Sequence, residues 1–224
     1  MIGSSTVPHR HGAPLPISLP ERLRQETRSL HVATERSGAM ADLLAGRLDR
    51  TGYVALLRNL HAIYGALELA LDHHRAKPWL APLYEPALRR EPALAADLET
   101  LQGPGWSEAL ALQAAAAEYV ERLRRLDAAA APELVAHAYV RYLGDLHGGQ
   151  LLRGLVTRRL GLSGEAGTRF YDFGDEPRVL ALRQALRAGL AVLPLDAAGA
   201  DRVVAEAQWA FVQHQRLFTQ LPTA

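Results

Sequence analysis

In GDLHGGQ, residues 144–150, one acidic side chain stands among glycines: Gly144, Asp145, Gly148 and Gly149. The flanking residues form a strong helical pattern, and each glycine inside a helix costs roughly 1 kcal/mol relative to alanine. A chain so rich in Ala and Leu would gain stability by replacing them. Close packing between helices, or a loop dividing the segment, would account for the glycines. So would a flat ligand lying on the main chain. Glycines at i and i+4 clear one helical face, and the weakened helix can bend over what it holds. Asp145 tilts the balance toward a ligand, because an ionisable group beside an apolar pocket is costly unless hydrogen-bonded or functional.

A second candidate lies far upstream. His31 sits in LRQETRSLHVATE with Glu35 one helical turn on, on the same face. A lone histidine on an amphipathic helix is usually a packed or surface residue. Here a carboxylate at i+4 can accept a bond from Nδ1–H and leave Nε2 free to bind a metal. Structural zinc normally needs four protein ligands, which one histidine does not supply. Haem iron needs one axial imidazole, since the porphyrin brings the other nitrogens. Haem also carries two carboxylates, which favour arginine. Arg24 lies two turns before His31, and Arg183 and Arg187 form an i, i+4 pair late in the chain. Arginines on helices are mostly solvated, so spacing alone does not assign them.

The elements that must position these residues read as helices throughout. Helical periodicity begins at Pro20, a good first-turn residue, and runs through LRQETRSLHVATERS. A helix over 51–74 carries Tyr53, Leu56, Leu57, Leu60, Tyr64, Leu67 and Leu71 on one apolar face. KPWLAPLYEP breaks the pattern as a loop. Further helices are expected over 91–102, 106–127, from Pro132 through residue 160, then 176–193 and 196–220. No period-2 alternation is long enough for a strand. The expected fold is all-α, a single-domain helical bundle over 20–224 behind a disordered lead-in, 1–19. His9 and His11 in that lead-in read as incidental.

Composition narrows the function classes. With 224 residues and 49% hydrophobic content the chain can bury a substantial core. No cysteine is present, which removes disulfides, thiolate metal sites, iron–sulfur ligation and cysteine nucleophiles. A net charge of +1 gives no general reason to expect nucleic-acid binding. No stretch approaches about 18 uncharged apolar residues, so no membrane helix is expected, and the lead-in has no apolar run of the secretory kind. A cytoplasmic monomer is the expectation; no heptad seam stands out.

Taken together, LRQETRSLHVATE and YVRYLGDLHGGQ resemble the haem oxygenase family, the first its proximal-histidine helix and the second its kinked distal helix. The likeness extends to NLHAIYGALE, APLYEP and AEAQWAFVQHQRLF, and so spans about residues 20–220. It implies a bundle with haem between the proximal and distal helices, His31 as iron ligand and Glu35 as its hydrogen-bond partner. Gly144 and Gly148 match the glycines whose backbone meets the distal haem face. Asp145 matches the aspartate that organises distal water, with Arg141, Tyr64 and Tyr119 supporting that network. Arg24, Tyr139, Arg183 and Arg187 match carboxylate-binding positions, and Phe211 packs at a haem edge. His147 departs from the pattern, standing where the family usually has serine. It either points to solvent or a neighbouring helix, or joins the distal water network; direct ligation of iron would occupy the oxygen site.

The implied chemistry takes haem b as both substrate and cofactor, with O₂ and external electrons, and opens a meso carbon to biliverdin, CO and ferrous iron. The two arginines of 183 and 187 suggest the α position. The implied electron donor is a ferredoxin or a flavoprotein reductase, and a bilin-accepting photoreceptor is a conceivable recipient of the product. Two other readings are carried. One is a non-catalytic haem carrier or sensor on the same scaffold, which His147 keeps open. The other is a helical enzyme of different chemistry, such as a thiamin-hydrolysing relative, which needs neither His31 nor GDLHGGQ.

Overall fold

The computed structural model describes residues 17–223. His9, His11 and most of the expected lead-in therefore lie outside the described residues. Helix α1, Leu19–Glu35, begins one residue earlier than expected, with Pro20 and Glu21 in its first turn. It buries only a narrow stripe, Leu23, Thr27 and Thr34, and lays that stripe along α10, Ala197–Gln220. Asp196 caps α10 by accepting the Gly199 N–H at 2.7 Å.

A short helix that periodicity did not indicate, α2 (Gly38–Leu44), follows α1. Seven residues are too few to show a repeat, and the segment gains its stability by burying Ala39 and Leu43. Helix α3, Arg50–His74, is capped by Asp49 and runs through the core between α4 (Glu91–Gln102) and α6 (Ala114–Ala128). By length and composition alone α3 could cross a membrane. Yet 61% of its most apolar window is buried inside the protein, and Arg58 and Glu68 interrupt it. The expected loop after it contains two single 3₁₀ turns, Ala81–Leu83 and Pro86–Leu88.

The helix expected over 106–127 is instead two. Helix α5 covers only Trp106–Ala109, and α6 starts at Ala114. The break is tertiary in origin. Arg58 Nε donates to the Leu110 carbonyl at 3.2 Å, and Asn59 Oδ1 accepts the Gln113 N–H at 2.8 Å. Side chains of α3 thus satisfy main-chain groups that an Ala-rich helix would have paired internally.

The long helix expected from Pro132 starts as α7, Leu134–Ala138, passes through a π-helical turn at Tyr139–Leu143, and continues as α8, Gly144–Leu160. The departure from α geometry therefore precedes the glycines and does not fall on them. A π turn inserts one residue and re-aims the side chains around it, and such turns gather at functional sites. Helix α9, Glu176–Ala191, capped by Asp175, completes the wall beside α1 and α8. No strand occurs among the described residues, and the buried apolar side chains form one cluster.

Gly189 on α9 lies against the 3₁₀ turn at Pro82: a Cβ there would overlap the Pro82 carbonyl and press on Leu83. Gly189→Ala should lower stability by about 1–3 kcal/mol, seen as a reduced urea midpoint with an unchanged helical circular-dichroism spectrum.

Candidate functional site

Between α1 and α8 lies a cavity of about 700 Å³ with His31, Arg24 and Arg28 on the α1 side and Gly144 and His147 on the α8 side. An inner recess of about 180 Å³ adjoins it and reaches Arg141, Asp145, Gly148 and His214. The two spaces share His31, Val140, Gly144 and Phe211, so they form one slot. Its volume lies within the range of small-molecule sites.

His31 presents its ring to this slot with 52% of the side chain exposed, and the ring meets Phe211 edge-on at 5.8 Å. Glu35 Oε1 stands 3.7 Å from His31 Nδ1. That is beyond hydrogen-bond length, so the expected bond is not formed. Both side chains are about half exposed, and water competes for each.

Opposite His31, a Cβ built on Gly144 meets nothing within 4 Å, and one on Gly148 meets only Leu152 at 3.9 Å. Their faces are open to the slot. Gly149 serves another purpose: a Cβ there would touch the Tyr171 carbonyl at 3.5 Å, so this glycine packs α8 on the Arg169–Tyr171 turn.

Behind the glycine face the π turn delivers Arg141 one helical turn before Asp145, and the two pair at 3.0 Å. The Tyr64 hydroxyl donates to the other Asp145 oxygen, and Arg141 Nε donates to Tyr64 at 3.3 Å. Burial pushes the Asp145 carboxyl above its ordinary pKa, against the opposing pull of Arg141 and Tyr64. Burial likewise raises the Tyr64 hydroxyl well above the ordinary phenol range. A carboxyl set in this way can order a water next to the slot.

His214 completes the cluster and was not singled out from sequence. Its Nδ1–H donates to the Ala210 carbonyl at 2.8 Å, so Nε2 accepts from Arg141 Nη1 at 3.2 Å. Burial, then the Arg141 charge, pushes its pKa down to about 3. The signal was available: His214 stands at i+3 from Phe211, on the same buried face of α10. Tyr119, in contrast, does not join the cluster. Its hydroxyl bonds His137 Nδ1 at 2.8 Å, and His137 Nε2 meets Glu206 at 3.1 Å. Only the Tyr119 ring reaches His214, edge-on at 5.0 Å.

The expected carboxylate-binding residues divide. Arg24, Tyr139 and Arg187 line the outer cavity, and Arg28 joins them unforeseen. Arg24 is already paired with Glu21 at 2.8 Å. Tyr139 Oη lies 3.5 Å from Thr27 Oγ1. Arg183 is not among the residues lining the slot; it stands one turn before Arg187 on α9. Among the described residues, no group of three or more His, Cys, Asp or Glu side chains is placed to hold a bare metal ion.

The Heme oxygenase family model matches residues 17–220. The chain belongs to the haem oxygenase family. Heme oxygenase 1 of Synechocystis sp. (strain ATCC 27184 / PCC 6803 / Kazusa) is 35% identical over 205 residues, covering 92% of this chain and 85% of the relative. Heme oxygenase 1 of Homo sapiens is 35% identical over 210 residues, covering 92% and 73%. Among solved structures, heme oxygenase-1 from Synechocystis sp. PCC6803 in complex with heme superposes with a TM-score of 0.86 at 34% identity, over 91% of this chain and 92% of that one. Heme oxygenase from Leptospira interrogans gives 0.87 at 31% identity, over 92% and 100%. The all-α haem oxygenase fold is thereby established for this chain.

Two outcomes follow from the geometry. Gly144 has helical backbone angles (φ −60°, ψ −50°), so Gly144→Ala should stabilise the haem-free protein by about 0.5–1 kcal/mol. The same methyl group enters the slot and should weaken haem binding, as parallel urea melts and haem titrations would report. Acid should also destabilise the fold. Below pH 6.5 an unfolded His214 takes up a proton that the folded ring refuses until about pH 3. Stability from this group is therefore intact above pH 6.5 and falls as pH decreases, by up to about 1.4 kcal/mol per unit. Urea unfolding from pH 7 to 4 measures the slope, which should be shallower in His214→Asn.

Proposed function

We propose that this chain is an enzyme that opens haem at a meso carbon to biliverdin, CO and ferrous iron, using O₂ and external electrons. The observation that carries the reading is a single slot with His31 on one wall and the side-chain-free face of Gly144 on the other.

Haem as substrate brings the iron and the ring carbon that is oxidised; the protein supplies placement and protons. Among the described residues, His31 would be the imidazole that holds the haem iron. Gly144 on the opposite wall would let a planar ring approach the main chain, which a β-carbon there would hinder. Phe211, edge-on to His31, adds an apolar surface to that side of the slot. The Asp145 carboxyl is oriented beside the inner recess by Tyr64 and Arg141, and His214 fixes Arg141 from behind. Water ordered by Asp145 would relay a proton to the reacting oxygen of the bound substrate. Arg24, Arg28 and Arg187 offer cations for the haem carboxylates at the solvent edge. Of the Arg183 and Arg187 pair on which the α meso position rests, Arg187 is the one that lines the slot. The reading includes a cytoplasmic monomer fed by a ferredoxin or a flavoprotein reductase, with a bilin-binding photoreceptor as one recipient of the product.

An aerobic incubation of the haem complex with a reductant tests this directly. The Soret band should decay and a bilin should accumulate; a Soret band that persists would mark a carrier. Asp145→Ala should still bind haem while its biliverdin yield falls by about 100-fold or more. His31→Ala should lose the imidazole-ligated spectrum and turnover, and both should return on adding free imidazole.

A further inference from the structure

His147 faces the outer cavity from α8, and both of its ring nitrogens are engaged. Nδ1 lies 2.6 Å from the Leu143 carbonyl, which can only accept, so Nδ1 carries the hydrogen. Nε2 lies 3.0 Å from Arg187 Nη2, which can only donate, so Nε2 presents its lone pair. The two partners admit one state of the ring, the neutral Nδ1–H tautomer. Partial burial first, with the charges of Arg183, Arg187 and His31 adding to it, holds the ring below its ordinary pKa. This side chain therefore bridges α8 to α9 and ligates nothing else.

Arg187 gains most from the bridge. It is exposed, and among the described residues no carboxylate lies within ion-pair distance of it, whereas Arg24 is paired with Glu21 and Arg22 with Glu26 and Asp201. An exposed arginine with no anchor samples many rotamers and loses that freedom on binding an anion. One acceptor lone pair from His147 restrains the guanidinium at the slot's mouth. It uses one of five N–H donors and leaves the others for an anion.

We propose that His147 is a positioning residue: it holds Arg187 in place for a carboxylate of the bound porphyrin. This rests on the haem reading of the slot, and it assigns a role to the one residue of GDLHGGQ that departs from the family pattern. The side chain acts through Arg187 and touches neither the iron nor the site of oxidation.

The test is a cycle of ferric haem titrations on the full chain, read by absorption. His147→Leu removes the acceptor and should weaken haem binding by about tenfold. His147→Gln, whose amide oxygen can accept from Arg187, should retain most of the affinity. In an Arg187→Ala background, or with haem dimethyl ester as ligand, His147→Leu should change nothing further. An undiminished affinity in His147→Leu overturns the proposal, as does a loss that persists at full size with the ester or without Arg187. In either case the parent still binds haem and the assigned function stands. A parent that binds no haem overturns the functional reading itself, and this proposal with it.

Discussion

The structure depends on keeping the slot-facing side of α8 bare at its glycines. Protein interiors close-pack, and an unfilled slot forfeits the contacts its walls would otherwise make. Here the slot persists because its walls are held from outside. Helix α1 is pinned by its stripe on α10, and α8 is pinned through Gly149 on the Arg169–Tyr171 turn. Gly144, between these anchors, has nothing opposite it. The helix propensity lost at the glycines is the cost of a surface on which a planar molecule can lie.

The second constraint is electrostatic. Asp145, Arg141, Tyr64 and His214 are polar groups sunk behind the slot, and each finds a partner within the cluster or on α10. Every buried side-chain polar atom among the described residues has a hydrogen-bond partner. Such a network is stable only when complete, since one missing partner leaves a desolvated group unpaired. Its completeness orients the Asp145 carboxyl toward the inner recess. A separate buried chain, Tyr119–His137–Glu206–Arg122, braces α6, α7 and α10 behind it. Glu206 is held down to about 2, burial being outweighed by its bonds to Arg122 and His137. These two layers divide the work: the inner one faces the ligand, and the outer one sets the helices that carry the inner one.

Legibility in the sequence followed the range of the interactions involved. The long helices were readable because a repeating apolar face is a local property. Helix α2 was too short to repeat, and the break between α5 and α6 was imposed by Arg58 and Asn59 from α3. The glycine run and His31 stood out as local anomalies, and resemblance joined them. Arg28 has no local mark of function, as an arginine on an amphipathic helix is mostly solvated, and His214 is marked only by its i+3 spacing from Phe211. Tyr119 and Arg183 were assigned by resemblance, and in this chain one serves the outer bonded layer while the other stands off the slot.

The sequence by itself determined the helical class, the absence of thiol chemistry, and the two local anomalies, one histidine with a carboxylate at i+4 and one glycine run around an aspartate. Those follow from residue type and short spacing, which do not depend on the rest of the chain. Only the tertiary structure decided which glycines face the slot and which packs on Tyr171. It also placed the helical irregularity before Gly144, left Glu35 short of a bond to His31, and gave His147 to Arg187. Each of these turns on ångström-scale distances between helices far apart in the chain, and no local pattern encodes such a distance.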